Sequence, residues 1–502
     1  MLAAIRSASV LGIDAHDVCV EVDVAQGLPR WTIVGLPNGE VKESRERVTA
    51  ALENSGFVLP PRRITVSLSP GDVRKSGTGF DLPIAIGLLV AIGELPSEAA
   101  ESRAFIGELG LDGEIRGVRG VLSVARHLAS ASGVRALVLP PANVSEAALV
   151  RTLSLSAPAT LRELVDALAA RRLPPAIAGA AAPTVDDGAD FGDVVGQASA
   201  KRALEIAAAG GHACLLIGPP GAGKTMLARR LPSILPALTE EEALEVTAIH
   251  SVAGLLTPAG ATLSARPFRA PHHSISSAGL VGGGGIPRPG EVSLAHHGVL
   301  FLDELLEFPR SALESLRQPL EDGRVVIARA ALSVAFPARF SLIAAMNPCP
   351  CGNAGEPTRV CTCAESEIQK YRARLSGPLA DRIDMHVTLN AVPASSLNRA
   401  SDGETSSAIR ARVEASRAVQ RARYTRAPGV ACNANASGRW LLTHAAIGDE
   451  ARALLGAAME SLKLSARGFH RVLRVARTIA DLDGAGGVGA AHVAEALRYR
   501  PH

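Results

Sequence analysis

Residues 218–225 read Gly218-Pro219-Pro220-Gly221-Ala222-Gly223-Lys224-Thr225 and fit the pattern G-x-x-x-x-G-K-[ST] at every fixed position. The apolar run 213–217 comes directly before them and predicts a buried parallel strand. In such a loop the backbone N–H groups wrap a β-phosphate, while the lysine reaches the β and γ oxygens and the threonine hydroxyl takes a magnesium coordination position. We therefore expect the chain to bind ATP or GTP with Mg²⁺ through residues 218–225 and the adjacent Met226.

A second apolar run, residues 299–302, ends at the acidic pair Asp303-Glu304. In sites that hydrolyse nucleotides, an aspartate in this place orders a magnesium-bound water and the adjacent glutamate polarises the attacking water. We assign Asp303 to Mg²⁺ binding together with Thr225, and Glu304 to catalysis together with Lys224.

A third apolar run, residues 341–345, is followed closely by Asn347. A polar amide at the end of a strand beside the acidic strand could position the hydrolytic water against the γ-phosphate. Asn347 is our candidate for this catalytic role. The alternative is an ordinary turn residue before Pro348.

The composition is that of a globular chain of several domains: 502 residues, 47% of them apolar, with a net charge of +3. Residues 397–502 hold sixteen Lys and Arg against nine Asp and Glu, an excess of seven positive charges. This excess suits phosphate contacts, although a solvated helical face gives the same pattern. The first twenty residues lack a secretory signal, and the apolar stretch 82–93 is too short to span a bilayer. We expect a cytoplasmic protein with no membrane partner.

The order of predicted elements divides the chain. Residues 171–189 are rich in Ala, Pro and Gly and predict a linker. Before them, strands and helices alternate, which predicts a mixed α/β domain at 1–170. After them, strand-loop-helix units predict an α/β core at 190–395, and helical patterns predict a helical region at 396–502. The predicted strands include 19–24, 31–34 and 63–68, and the predicted helices include 41–55, 82–92, 409–424, 449–462 and 466–481.

These motifs together resemble an AAA+ ATPase of the magnesium-chelatase-like branch. The resemblance is carried by residues 218–225, by 300–305, by Asn347 and by the stretch Ser376-Gly-Pro-Leu-Ala-Asp-Arg382-Ile-Asp384. Further stretches narrow it to the YifB/ComM family: RPFRAPHH at 266–273, PGEVSLAHH at 289–297 and NPCPCG at 347–352. It covers nearly the whole chain and is weakest in the linker. It implies an AAA+ P-loop core followed by a C-terminal helical lid.

The same resemblance implies a homo-oligomeric ring, hexameric in such families, in which an arginine of one subunit enters the ATP site of its neighbour. Arg382 matches this arginine finger. In the lid, Arg467 matches a second-sensor arginine. Arg471 and Arg477 on the same helix fit better as a basic stripe that faces solvent.

In this branch an insertion and a hairpin face the channel of the ring. The insertion here spans about 250–297, and the β-prone runs 324–329 and 331–336 predict the hairpin. Arg329, near the hairpin tip, is a candidate DNA contact. Further candidates are Arg266, Arg269 and Arg288, for each of which an ion pair within the subunit is the alternative.

The family resemblance implies a motor that acts on DNA, with branched or recombination intermediates as partners, and a function in branch migration during natural transformation. One alternative is a chelatase-type motor that remodels a protein partner for metal insertion. A weaker alternative, a peptidase, comes from the N-terminal domain.

Stretches 76–86 and 105–115 of that domain resemble Lon-type peptidases, whose fold is of the ribosomal S5 domain 2-like type. A Ser-Lys peptidase needs a nucleophile beside an amine base. On the residue-by-residue match, Gly79 occupies the nucleophile position and Leu122 the lysine position. Because neither side chain can do this chemistry, we expect a catalytically inactive scaffold.

Four of the seven cysteines crowd into one segment as two C-x-C pairs, at Cys349, Cys351, Cys361 and Cys363. Four thiolates on one loop suffice for a closed tetrahedral site, and we hypothesise a structural Zn²⁺ there. The alternative is four reduced thiols packed near the third strand. The pairs His272-His273 and His296-His297 are poorer ligands, because successive side chains point apart in extended structure. We expect packing or hydrogen bonding at these histidines.

Overall fold

The computed structural model describes residues 2–131, 133–177, 188–256, 263–285, 287–329, 332–356, 359–391, 403–427 and 429–500. Of Arg329 and Leu332 only the backbone is described. The architecture is mixed α/β, with a parallel-rich sheet that carries the predicted nucleotide site. Within these ranges, no helix combines the length and the apolar character needed to cross a bilayer.

The described residues before position 170 build a mixed sheet of seven strands in the order β3-β4-β2-β1-β5-β8-β9, with a short ribbon of β6 and β7 beside it. The strands are β1 (Leu2–Leu11), β2 (Asp14–Ala25), β3 (Arg30–Val34), β4 (Arg63–Ser69), β5 (Arg103–Phe105), β6 (Glu108–Leu109), β7 (Ile115–Arg116), β8 (Ala136–Val138) and β9 (Ser154–Ser156). The helices are α1 (Gly39–Lys42), α2 (Ser44–Asn54), α3 (Asp81–Ile92), α4 (Val121–Ser130), α5 (Val144–Ala147) and α6 (Leu161–Ala169).

Apolar patterning explains this first layer. Helix α3 is an almost uninterrupted apolar run, and residues 81–91 of it are buried against the sheet. The predicted strands at 19–24, 31–34 and 63–68 are confirmed as parts of β2, β3 and β4. Strand β1 was not predicted, although it pairs with β2 along its whole length, from Leu2 opposite Asp23 to Leu11 opposite Asp14.

A second sheet, of five strands within the described residues, has the order β11-β14-β17-β10-β18, and its neighbouring strands run parallel. The strands from here on are β10 (Cys214–Ile217), β11 (Phe268–Arg269), β12 (Gly282–Gly283), β13 (Arg288–Pro289), β14 (Val299–Leu302), β15 (Arg324–Arg329), β16 (Leu332–Pro337), β17 (Ser341–Met346) and β18 (Met385–Thr388). The three apolar runs predicted as strands are thus confirmed. Because parallel strands end at the same edge of a sheet, the residues that follow β10, β14 and β17 come together there.

The helices around this sheet are α7 (Ala198–Gly210), α8 (Lys224–Arg230), α9 (Glu240–Ala253), α10 (Ser277–Val281), α11 (Glu291–Leu294), α12 (Arg310–Ser315), α13 (Arg317–Asp322), α14 (Glu365–Arg372) and α15 (Gly377–Ala380). The predicted hairpin is confirmed as the antiparallel pair β15 and β16. It lies against the turn between β1 and β2, where Leu11 and Ile13 pack on the cluster that contains Val334. The N-terminal region also contacts the end of α9, where the Gly120 N–H donates to the Ser251 carbonyl over 3.2 Å.

Helices dominate the remaining described residues: α16 (Ser406–Tyr424), α17 (Gly438–His444), α18 (Asp449–Ser461), α19 (Ala466–Leu482) and α20 (Ala490–Leu497). They share a hydrophobic core with α7, β10 and β18. Polar contacts join them to the core as well: Gln420 donates to the Ala209 carbonyl over 2.9 Å, and His212 lies 2.7 Å from the Thr478 hydroxyl. The predicted helices in this region are confirmed within three residues at each end.

The prediction that Arg471 and Arg477 face solvent is wrong. Arg477 is 1% exposed and pairs with Asp481 at 2.8 Å, while Arg471 donates to the Ile383 carbonyl over 2.9 Å. Guanidinium groups can be buried when their N–H groups find carboxylate or carbonyl acceptors, and helix-end carbonyls supply these here. The domain boundaries, the Lon-type resemblance and the lid function stay predictions.

Candidate nucleotide site

The glycine-rich loop between β10 and α8 has the backbone that its sequence requires. Gly221 and Gly223 have φ of +79° and +88°, a region that glycine adopts without steric cost. Lys224 begins α8, and its ammonium group donates to the Gly218 carbonyl over 2.6 Å and to the Pro219 carbonyl over 3.0 Å. Burial lowers the pKa of Lys224. The lysine is therefore folded back onto its own loop.

The acidic strand, β14, ends just before Asp303-Glu304 and meets the glycine-rich loop at the hydroxyl of Thr225. This hydroxyl donates to Asp303 Oδ2 over 2.6 Å, and the Glu304 N–H donates to Asp303 Oδ1 over 2.9 Å. A hydroxyl and a carboxylate in contact are hard oxygen ligands of the kind Mg²⁺ takes. The donor set therefore fits the expected magnesium ion.

Asn347, which follows β17, joins Lys224, Thr225, Asp303 and Glu304 in one group of side chains, the Lys224 cluster. Its side-chain Oδ1 accepts a hydrogen bond from Lys224 Nζ over 3.1 Å. The Met346 carbonyl just before it accepts from the Gly218 N–H over 3.2 Å, so β17 holds the start of the loop. The structure thus brings Asn347 next to the phosphate loop, because β17 lies between β14 and β10 in the sheet.

Glu304 has an unusual backbone and an unpredicted partner. Its φ of +51° lies in the left-handed region, which is uncommon for a residue other than glycine. Its carboxylate is 3.1 Å from Nδ1 of His273, whose ring meets Phe308 edge-on. Sequence reasoning missed this pair because the residues lie far apart in the chain and share no motif. An imidazole this close can hold the position of the carboxylate that we assigned to catalysis.

The loop is also held by Gln197, which sequence reasoning did not identify. Its side-chain amide donates to the Ala222 carbonyl over 3.0 Å and to the Asn390 carbonyl over 2.7 Å. Gln197 therefore ties the loop to the segment after β18. Gln197 has a left-handed φ of +54°, and no sequence motif identifies it as a contact of the loop.

The structure places Arg382 just after α15, in contact with its own chain. Its guanidinium pairs with Glu321 at 2.7 Å and donates to the Pro378 carbonyl over 2.6 Å, and its side chain is 12% exposed. Arg467, at the start of α19, is largely exposed and lies 4.0 Å from Asp381. The contacts of both arginines thus lie around α15 and not in the Lys224 cluster.

The four sulfur atoms of the cysteine cluster lie within 4.8 Å of one another. The Sγ atom of Cys349 is 3.4 Å from that of Cys351 and 3.7 Å from that of Cys361. The Cys351 N–H donates to Cys363 Sγ over 3.4 Å. Zn–S bonds of about 2.3 Å in a tetrahedron place sulfur atoms about 3.8 Å apart, so the cluster has nearly the dimensions of a zinc site.

The second histidine pair does not diverge as predicted. His296 and His297 both approach Glu245 Oε2, at 3.0 Å and 2.7 Å, because His297 has a left-handed φ of +55°. The Arg339 N–H donates to His296 Nδ1 over 3.0 Å, so Nε2 carries the ring proton and donates to Glu245. Protonated Nε2 has no free lone pair for a metal. The expectation of hydrogen bonding is therefore confirmed, although the expected backbone is wrong.

This histidine cluster has shifted pKa values with a clear cause. Hydrogen bonding from His296 lowers the pKa of Glu245 to about 2. Burial lowers the pKa of His296, which keeps the ring neutral. The cluster fixes α9 to the residues that precede the acidic strand β14.

The arginines assigned to DNA have different surroundings. Arg266 pairs with Glu242 at 2.9 Å, and Arg269 pairs with Glu291 through two contacts of 2.6 and 2.8 Å. Both thus adopt the alternative, an ion pair within the subunit. Arg288 is exposed on β13, whereas the side chain of Arg329 lies outside the described part of the structure.

Comparison with known proteins finds matches along nearly the whole chain. Residues 190–397 match the family described as magnesium chelatase, subunit ChlI, residues 20–143 match subunit ChlI of Mg-chelatase, and residues 403–500 match magnesium chelatase, subunit ChlI C-terminal. Competence protein ComM of Haemophilus influenzae is 43% identical over 506 residues, which cover 99% of this chain and 97% of that protein.

The chain belongs to the YifB/ComM family of magnesium-chelatase-like proteins. YifB of Salmonella typhimurium is 42% identical over 503 residues, again 99% of this chain and 97% of that protein. The magnesium-chelatase 67 kDa subunit of Chlorobaculum tepidum is 30% identical over only 162 residues, 32% of this chain and 23% of that protein. The ChlI-like family is a family of AAA+ ATPases that use ATP and Mg²⁺. The parallel-rich sheet of this chain is consistent with a P-loop domain of the AAA+ type.

Proposed function

We propose that this YifB/ComM family protein hydrolyses ATP at the cluster of Lys224, Thr225, Asp303, Glu304 and Asn347. One observation carries the proposal: the Thr225 hydroxyl is 2.6 Å from Asp303, while Lys224 is 3.1 Å from Asn347 at the same sheet edge. These distances bring together a phosphate-binding cation, oxygen ligands for Mg²⁺ and a polar amide.

Each residue has a distinct task. Lys224 leaves its loop carbonyls to bind phosphate oxygens, and Thr225 and Asp303 hold Mg²⁺. When bound, the ion neutralises the charge on those oxygens. Glu304 polarises the attacking water, for which its 59% exposed carboxylate is accessible, and Asn347 positions that water.

The test is ATP binding and phosphate release by the purified chain with and without Mg²⁺. We expect magnesium-dependent turnover that is lost in Lys224→Ala and kept in Lys370→Ala, an exposed lysine on α14. Equal turnover in both variants, or none in the wild-type protein under any assembly condition, would contradict an ATPase at this site.

The functional unit is a homo-oligomeric ring, with six subunits as family resemblance implies, in which Arg382 completes the neighbouring site and Arg467 senses nucleotide from the lid. Glu321, which pairs with Arg382 after α15, is 58% exposed, so water can solvate its carboxylate when Arg382 turns to a neighbouring subunit. Light scattering with and without ATP measures the assembly. A monomer under all nucleotide conditions would contradict it.

The ring acts in the cytoplasm on DNA, with branch migration of recombination intermediates as the proposed activity. Support comes from the name of the relative, competence protein ComM, from the exposed Arg288, and from Arg329, the last residue of β15 at the tip of the hairpin. Arg288→Ala and Arg329→Ala should weaken DNA binding, and each should reduce its salt dependence. Unchanged affinity at several salt concentrations removes these arginines from the DNA surface.

A chelatase-type motor is the second candidate, because the matching families are described by magnesium-chelatase subunits. ATPase stimulation separates the candidates: branched DNA should stimulate turnover most under our proposal, whereas stimulation by porphyrin with a partner protein favours the chelatase. Stimulation by unfolded protein, followed by its cleavage, would favour the peptidase. The peptidase positions hold Gly79 and Leu122, which supply neither a nucleophile nor an amine base. Residues 1–170 therefore act as an inactive scaffold.

The four-cysteine cluster holds one structural Zn²⁺. Its sulfur spacing and its amide-to-sulfur hydrogen bonds fit a closed thiolate site, and structural zinc contributes directly to folding. Protein purified without chelator should contain about one zinc per chain. Cys361→Ser should lose it and Cys19→Ser, an isolated cysteine, should keep it. Less than half an equivalent in the wild-type protein would reject the site.

A further inference from the structure

We infer that the cysteine loop, described at residues 349–356 and 359–363, sets the conformation of the phosphate loop, so that losing its metal lowers the affinity for ATP. The inference rests on the zinc proposed above. It assigns that metal a place in nucleotide binding and not only in local folding.

The first observation is a direct contact between the two loops. Gly352 has a left-handed φ of +83°, and a Cβ atom added to it would lie 2.6 Å from Pro220 Cδ and 3.0 Å from Pro220 Cγ. Side-chain atoms do not approach so closely, so no other residue fits at position 352 without moving Pro220. Pro220 is an interior residue of the phosphate loop. The cysteine loop therefore supports the phosphate loop from outside.

The second observation is continuity with Asn347. Cys349 is fully buried and lies two residues after Asn347, whose side chain accepts from Lys224. The Gly352 N–H donates to the Cys349 carbonyl over 3.0 Å, which closes a tight turn between the two. One short segment thus fixes both the amide that contacts Lys224 and the glycine that contacts Pro220.

The metal explains how this segment keeps its shape. Of the four cysteines only Cys349 is buried, and the loop is held by sulfur contacts and by N–H groups that donate to sulfur, such as Ala354 to Cys349 over 3.3 Å. A bound metal would join Cys349 to Cys361 across the loop and supply the folding energy that apolar packing does not. Without it, the turn before Gly352 loosens and the support of Pro220 is lost.

A pair of glycines gives a matched test. Gly352 and Gly355 have nearly the same left-handed φ, +83° and +80°, but a Cβ at Gly355 would meet nothing within 4 Å. Gly352→Ala and Gly355→Ala therefore impose similar backbone strain, and only the first pushes on Pro220. We expect Gly352→Ala to keep its zinc and lose about tenfold or more in ATP affinity, measured by calorimetry. Gly355→Ala should match the wild-type protein in both.

A double variant and metal removal complete the experiment. Pro220→Ala makes room for the new methyl group, so Pro220→Ala/Gly352→Ala should bind ATP more tightly than Gly352→Ala alone. Wild-type protein stripped of zinc under reducing conditions should also lose about tenfold in ATP affinity and regain it when Zn²⁺ is returned. Gly352→Ala could also lose zinc together with ATP affinity. Recovery of both in Pro220→Ala/Gly352→Ala would then show that the contact between residues 352 and 220 causes the loss.

Two results would overturn the inference: equal ATP affinity in Gly352→Ala and Gly355→Ala, or unchanged ATP affinity in stripped wild-type protein. The proposed function fails in a different way. Wild-type protein without zinc refutes the zinc site, and wild-type protein that binds no ATP refutes the nucleotide site. If the wild-type protein holds zinc and binds ATP, and Gly352→Ala also binds ATP normally, only the proposed effect of the cysteine loop on ATP affinity is refuted.

Discussion

Mixing two inactive variants tests whether Arg382 acts on the site of a neighbouring subunit. In the structure, Arg382 contacts Glu321 and the Pro378 carbonyl. Lys224 contacts other groups: the Gly218 and Pro219 carbonyls and Asn347. Arg382→Ala should therefore fold, bind ATP and keep its own Lys224 cluster. Its turnover should still fall by about 10³-fold or more, the range measured for arginine fingers.

The expected recovery can be worked out from ring geometry. Arg382→Ala subunits have an intact phosphate loop, and Lys224→Ala subunits have an intact finger. In a head-to-tail ring assembled at random from equal amounts, about one quarter of interfaces join an intact loop to an intact finger. We expect phosphate release at about one quarter of the wild-type rate per subunit.

The control mixture contains Arg382→Ala and the double variant Lys224→Ala/Arg382→Ala, which offers no intact finger and should stay inactive. Absence of recovery in the first mixture, although capture of one tagged variant retains the other, would remove Arg382 from the shared site. Glu321→Gln adds a separate check. Because Glu321 is 58% exposed, its pair with Arg382 is weak, and releasing the arginine should raise turnover by no more than about fivefold.

Three further predictions concern other side chains. His273→Ala should raise basal phosphate release by up to about tenfold, because it removes the imidazole that lies 3.1 Å from the Glu304 carboxylate; a loss of turnover would contradict this. Burial lowers the pKa of His296, so the unfolded chain takes up a proton at this histidine before the folded chain does. The free energy of unfolding should therefore fall as the pH drops below about 6.5, by at most about 1.4 kcal/mol per pH unit for His296. Urea unfolding should show a flatter pH dependence in His296→Gln, and equal slopes would refute the assignment. Arg477→Met should cost about 3–5 kcal/mol in urea unfolding, because it breaks a buried pair, whereas the exposed Arg467→Met should cost under about 0.5 kcal/mol; equal costs would be inconsistent with burial.

The strands that carry the nucleotide site could be predicted because their signal is local. Buried parallel strands are short apolar runs, and Thr225, Asp303 and Asn347 each follow one of them. Parallel pairing then brings the ends of these runs to one edge without further information. The helices of the last hundred residues were predictable for a similar reason, since an apolar stripe repeats with the helical period.

Contacts between distant segments could not be predicted in this way. His273 meets Glu304, and Gly352 meets Pro220, only because the sheet order places their loops side by side. The backbone of His297 has a left-handed φ that no residue type signals, and this turned two histidines toward Glu245. Burial of Arg477 likewise depends on acceptors such as Asp481 that become neighbours only in the folded helices.

Phosphate release by Glu304→Gln, measured beside ATP binding, tests the central claim most directly. The matched control is Glu307→Gln, three residues later, where a half-exposed carboxylate pairs with Arg374. We predict that Glu304→Gln binds MgATP as the wild-type protein does and loses turnover by about 10²-fold or more, while Glu307→Gln keeps it. Turnover by Glu304→Gln at the wild-type rate would contradict the assignment of hydrolysis to this site.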